Sequence, residues 1–238
     1  MTLLTILITG FGRFPGSPVN PSGLVAMRLA GRRRPALTAT RRVGHVFATR
    51  YDAVGRELPA LIARERPDIV VLFGVAMRAR HVRIEELARN RVSVLFPDAG
   101  GHRPTAQAIA PGAAARRNPI PLARFAMAAR STGVAAARSR NAGTYLCNYV
   151  YWRALEAAAR PGGPGHVIFI HVPPVAFKKQ PKGRRKGKRR ATAGLDDLVH
   201  AGEAIMLAAI SLARTQRSLP HFGPQSFPDS GGHAQPRP

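Results

Sequence analysis

The chain has 238 residues, 45% of them apolar, and a formal net charge of +25. That apolar content supports a packed core in one sizeable domain or two small ones, and it excludes a disordered or fibrous chain. A single cysteine excludes an intramolecular disulfide framework and points to a reducing, cytoplasmic setting.

The charge invites a nucleic-acid reading, but its distribution weakens it. All five lysines fall between Lys178 and Lys188, and elsewhere every basic residue except histidine is a scattered arginine. The apolar run Leu3 to Ile8 is too short to span a membrane and lacks the basic start of a signal peptide.

In chain order, Leu3 to Thr9 reads as a buried strand ending in Gly10. A glycine-rich loop follows, carrying Phe11 and Phe14, which suit either a ligand or the core beneath the loop. Asn20-Pro21-Ser22 starts a helix to about Ala30. Val43 to Phe47 reads as a strand, Arg50 to Arg64 as an amphipathic helix, and Ile69 to Gly74 as a second buried strand. This alternation predicts an α/β sheet covered on both faces, with ligands at the carboxyl ends of strands.

Val92 to Phe96 reads as a short strand closed by Pro97-Asp98, Pro121 to Ser131 as a helix, and Gly133 to Ala137 as a short strand. Lys178 to Arg190 is nearly pure charge with Gly and Pro, and is expected to be a solvated loop. Leu195 to Arg214 reads as the last helix. The predicted division is one domain over 1–214 with a basic loop at 178–190, then a disordered tail over 215–238.

Two residues carry the chemistry. Cys147 lies in Asn141 to Asn148, at the start of a helix running to about Ala159, where the positive end of the dipole favours an anion. The thiolate is the nucleophilic form of cysteine. His171 ends the apolar run Val167 to Ile170 and can serve as its base. The plain alternatives are a buried apolar thiol and a hydrogen-bonded rim histidine. Glu85 and Glu86 are two of only 12 acidic residues; they suit orienting a histidine or pairing with arginines. No His/Cys cluster has metal-ligand spacing, and no cofactor is expected.

Four stretches then match one family in order. Thr9-Gly10-Phe11, Phe14, Gly16 and Asn20-Pro21-Ser22 come first, followed by Glu85, Ala88 and Asn90, then Ala142 to Asn148, then Phe169 to Pro173. Over residues 3 to 212 the chain resembles the pyroglutamyl peptidase I (pyrrolidone-carboxylate peptidase) family of cysteine exopeptidases. The resemblance implies a three-layer α/β/α sandwich around a mixed, largely parallel sheet, and a homo-oligomer, often a tetramer. It implies a triad of Cys147, His171 and Glu85 acting on peptides with an N-terminal pyroglutamate. It also implies that Phe11, Phe14, Phe96, Tyr145 and Leu146 line the lactam pocket.

One departure stands out. Where the family commonly reads D-A-R-I-P-D, this chain has Ser93 to Asp98, with Leu95 at the arginine. An inactive or altered-specificity homologue is therefore one alternative, with Arg83 or Arg91 as possible substitutes for the missing charge. A basic protein binding nucleic acid nonspecifically is another, although only 6% of residues are aromatic.

Overall fold

The structure, a computed structural model, describes residues 3–14, 19–175 and 193–218. The elements run β1 (Leu4–Phe11), α1 (Pro21–Ala30), β2 (Thr40–Phe47), α2 (Tyr51–Glu65), β3 (Ile69–Val75), β4 (Val82–Glu85), β5 (Leu87–Arg89), β6 (Ala115–Arg117), α3 (Ala123–Ser131), β7 (Ala136–Ser139), α4 (Leu146–Ala158), β8 (His166–Val172) and α5 (Leu195–Ser218).

Six strands form one sheet in the order β2-β1-β3-β8-β4-β7. Neighbours are parallel except β4 and β8, which run against each other. Strands β5 and β6 make a small antiparallel ribbon outside it.

Side-chain alternation along the strands divides the core in two. Ile6, Ile8, Val71, Phe73, Ile84, Ile168 and Ile170 pack against α1, α3 and α5. Leu7, Val70, Leu72, Val167 and Phe169 pack against α2 and α4 on the other face. The result is the mixed three-layer sandwich, and its strands are apolar on both faces because both faces are covered.

Backbone approaches backbone where β1 meets α1. A Cβ on Gly10 would lie 2.4 Å from the carbonyl oxygen of Ser22. Asn20 caps α1, its Oδ1 accepting from the Ser22 amide, while its Nδ2 donates to the Gly12 carbonyl. Ser22 Oγ in turn accepts from the Phe11 amide. The aromatic loop is thereby pinned to the helix start.

Several boundaries differ from expectation. The strand expected over Val92 to Phe96 does not form. That stretch is irregular because its polar contacts point elsewhere: Ser93 N–H bonds the Thr144 carbonyl, and Asp98 accepts from the amides of Tyr51, Gly100 and His102. Asp98 thus satisfies the first turn of α2, whose own cap residue Arg50 makes no side-chain cap bond. The last helix continues to Ser218, four residues into the expected tail. The 178–190 loop and residues 219–238 lie outside the described residues. No helix among the described residues is long and apolar enough to cross a membrane.

Candidate active site

Register decides which side chains meet. Ile84, Ile168 and Ile170 face α1, α3 and α5. The intervening residues, Arg83 and Glu85 on β4 and His171 on β8, therefore face α4. The antiparallel β4–β8 pairing sets Arg83 directly opposite His171. Cys147 is the second residue of α4, which covers this face.

His171 is buried near the carboxyl end of an interior strand rather than on a lateral edge of the sheet. Its Nδ1 lies 2.8 Å from Glu85 Oε1. Glu85 is fully buried. Oε2 accepts from the Asn141 amide at 3.1 Å, and Arg83 Nη2 sits 3.1 Å from Oε1. The Glu85 carbonyl accepts from Tyr151 Oη at 2.7 Å, and Tyr151 is held by Asn118.

Burial alone would raise the Glu85 pKa, but the bond to His171 and the charges of His171 and Arg83 hold it below the ordinary carboxylate value. Burial likewise opposes charge on His171, yet attraction and hydrogen bonding to Cys147 and Glu85 raise its pKa to about 9. The imidazole is therefore protonated at neutral pH, flanked by a carboxylate and the sulfur.

A cleft of about 340 Å³ opens over Cys147 and His171. Phe11, Phe14, Ala142, Tyr145 and Leu146 give it an apolar wall, and Arg83, Asn141 and Asn20 add polar groups. Tyr145 Oη donates to the Pro97 carbonyl, and burial first, then the charges of Asp98 and Cys147, push its pKa up to about 12. Gly143 turns the chain into α4 at φ 81°, a conformation that favours glycine.

The model of the pyroglutamyl peptidase family matches residues 4–205. The chain belongs to that family. It is 33% identical over 170 residues to the pyrrolidone-carboxylate peptidase of Bacillus subtilis, covering 71% of this chain and 77% of that one. It is 33% identical over 210 residues to the pyrrolidone-carboxylate peptidase of Pseudomonas fluorescens, covering 86% and 92%. The pyrrolidone carboxyl peptidase structure from Thermococcus litoralis superposes with a TM-score of 0.80 at 26% identity, covering 90% of this chain and 97% of that one.

Of the pyroglutamyl peptidase residues expected from sequence, Glu85, Cys147 and His171 come together, and Phe11, Phe14, Tyr145 and Leu146 line the cleft beside them. Phe96 does not join them. It is 65% exposed in the irregular stretch that replaces the expected strand, and the cleft lining excludes it. Leu95 beside it is 70% exposed and also outside the lining. The arginine that does enter the cleft is Arg83, whose guanidinium bonds Ser139 Oγ and the Asn141 carbonyl as well as Glu85. Its placement depends on the β4–β8 register, which no local pattern specifies.

Sequence reasoning passed over the packing role of Gly74. It pairs with His171 across β3 and β8, and a Cβ there would meet Cys147 Sγ at 2.8 Å, Phe169 Cζ at 2.9 Å and His171 Cδ2 at 3.2 Å. Gly74→Ala would push the sulfur and ring apart, and misplacement on that scale costs roughly 10- to 100-fold in kcat. Steady-state kinetics beside a thermal melt checks this; a folded variant with parental kcat would refute the close packing.

Proposed function

We propose that this chain is a cysteine exopeptidase that removes N-terminal pyroglutamate from peptides. The observation that supports this most directly is the buried Glu85–His171 pair set beside the sulfur of Cys147 at the mouth of an apolar cleft. Cys147 thiolate attacks the carbonyl joining pyroglutamate to the next residue. The imidazolium of His171 then gives its proton to the leaving amine. Glu85 holds the ring and stabilises its charged form. Water, activated by the now neutral imidazole, hydrolyses the acyl-enzyme and frees pyroglutamate. Amides in the first turn of α4, which lack partners within the helix, are suited to the oxyanion.

The cleft chemistry fits the blocked end. A lactam N–H or C=O left unpaired in an apolar pocket costs about 1–3 kcal/mol, whereas a charged free amine costs far more. Phe11, Phe14, Tyr145 and Leu146 are the proposed walls of the lactam pocket. The assignment extends to a homo-oligomer working in the cytoplasm, in keeping with the lone free cysteine and with exposed Leu24, Met27 and Val46 on α1 and the edge strand β2.

The deciding assay is release of a fluorescent amine from a pyroglutamyl amide, run beside Leu95→Arg. Activity in the parent means that an arginine at position 95 is dispensable. Recovery only in Leu95→Arg would mean that its loss disables the enzyme, and silence in both would overturn the assignment. The same assay across pH tests the proton path. Because the raised pKa of His171 keeps it charged up to about 9, kcat/KM should fall as pH rises through that value. A rate unchanged across it would remove His171 as the acid.

A further inference from the structure

A second depression shares a rim with the catalytic cleft. Ala76, Met77 and Arg83 line both. This groove, about 770 Å³, is otherwise formed by Arg78, Ala79, Arg80, His81, Arg138 and Ser139. Its floor is the short connection between β3 and β4, anchored by a bond from the Ala76 amide to the carbonyl of Val172, the residue after His171. The loop that carries Arg78 and Arg80 therefore starts beside the strand end that holds the catalytic histidine.

The carboxylates nearest the groove's other two arginines are already engaged. Glu85 pairs with Arg83 at 3.1 Å and Glu86 with Arg138 at 3.2 Å. Arg78 and Arg80 are exposed, and neither has an ion-pair partner among the described residues. The groove thus carries uncompensated positive charge from two guanidiniums, with His81 beside them and the exposed apolar Met77 at the junction.

A substrate must leave the cleft along a surface continuous with it. With the first residue held against the aromatic wall and its carbonyl at Cys147, the rim shared through Ala76, Met77 and Arg83 offers the following residue a continuous path out. We propose that the groove is a subsite for the residue after the scissile bond, and that it selects peptides carrying Asp or Glu there, with the carboxylate set between Arg78 and Arg80. This rests on the peptidase reading above.

The test compares kcat/KM for three peptides, pyroglutamyl-Glu-Ala, pyroglutamyl-Gln-Ala and pyroglutamyl-Lys-Ala, in the parent and in the double variant Arg78→Ala/Arg80→Ala. Exposed charge pairs of this kind are individually modest, so the expected preference for Glu over Gln is about 3- to 10-fold at low salt. It should shrink towards parity at high salt, with Lys the poorest of the three. In the double variant the ratio of Glu to Gln should fall to near one. Equal rates for all three peptides in the parent would overturn the subsite and leave the peptidase standing. A preference that survives in the double variant would also overturn it. Cleavage of none of the three would overturn the peptidase reading and the subsite together.

Discussion

Replacing Cys147 with alanine is expected to reduce pyroglutamyl-amide hydrolysis by roughly 10^4-fold or more, to the background of the assay. No other described residue can take over the attack, because the chain contains no second thiol and Cys147 is the sulfur that interacts with His171. The side chain is only partly buried and small, so the fold should survive. A circular dichroism spectrum and melting curve close to those of the parent would separate lost chemistry from lost structure. One further readout belongs to the ion pair itself. Without the sulfur, His171 loses the largest influence raising its pKa, so its titration, followed by NMR of the ring, should move below about 9. A folded Cys147→Ala protein retaining even a tenth of parental activity would disprove the assignment of the nucleophile.

Glu85→Gln should cost about as much as a wrongly held base does elsewhere, roughly 10^4-fold in kcat, with a smaller change in KM. The amide has nearly the volume of the carboxylate, but it removes the negative charge that faces both His171 and Arg83. Arg83 then loses its buried counter-charge and His171 keeps only the sulfur of Cys147, and breaking a buried pair in this way destabilises by about 3 kcal/mol. The pH dependence follows from the directions of the shifts. Glu85 titrates below its ordinary value, so its contribution to stability is present above about pH 4.5 and is lost as pH falls through its folded pKa. His171 titrates above its ordinary value, so its contribution is full below 6.5 and is lost as pH rises through about 9. The parent should therefore be most stable between those limits, and the variant should lose most of its difference from the parent outside them. Denaturant melts at several pH values check this. A constant gap across the whole range would mean that the carboxylate stabilises by shape alone.

Much of the architecture was legible in the sequence, for a physical reason. Strands buried on both faces must be apolar throughout, and Leu4 to Ile8, Ile69 to Phe73 and Val167 to Ile170 advertise themselves. Helix α1 announced its start through Asn20-Pro21-Ser22, where a side-chain cap and a proline agree. Val92 to Phe96 misled because a short apolar run is also what a loop needs when it lies over a core; Val92 is buried while Leu95 and Phe96 are exposed. Cys147, His171 and Glu85 stood out through motif spacing. Gly74 did not, and Arg83 entered only beside Arg91 as a substitute for the missing charge, because their places arise from pairing across strands far apart in sequence. Phe96 was placed by motif position, and its backbone follows the demands of Asp98 instead.

The reversed strand has a consequence for how the chain comes alive. Glu85 and His171 are 86 positions apart, and they meet only once β4 has slotted in beside β8 against the direction of the other strands. Closing so long a loop is an entropic cost that must be met before the contact returns anything. A nascent chain that has made β1 to β4 and even α4 thus holds Cys147 without His171 beside it. Among the described residues, the Glu85–His171 contact exists only when β4 and β8 are paired.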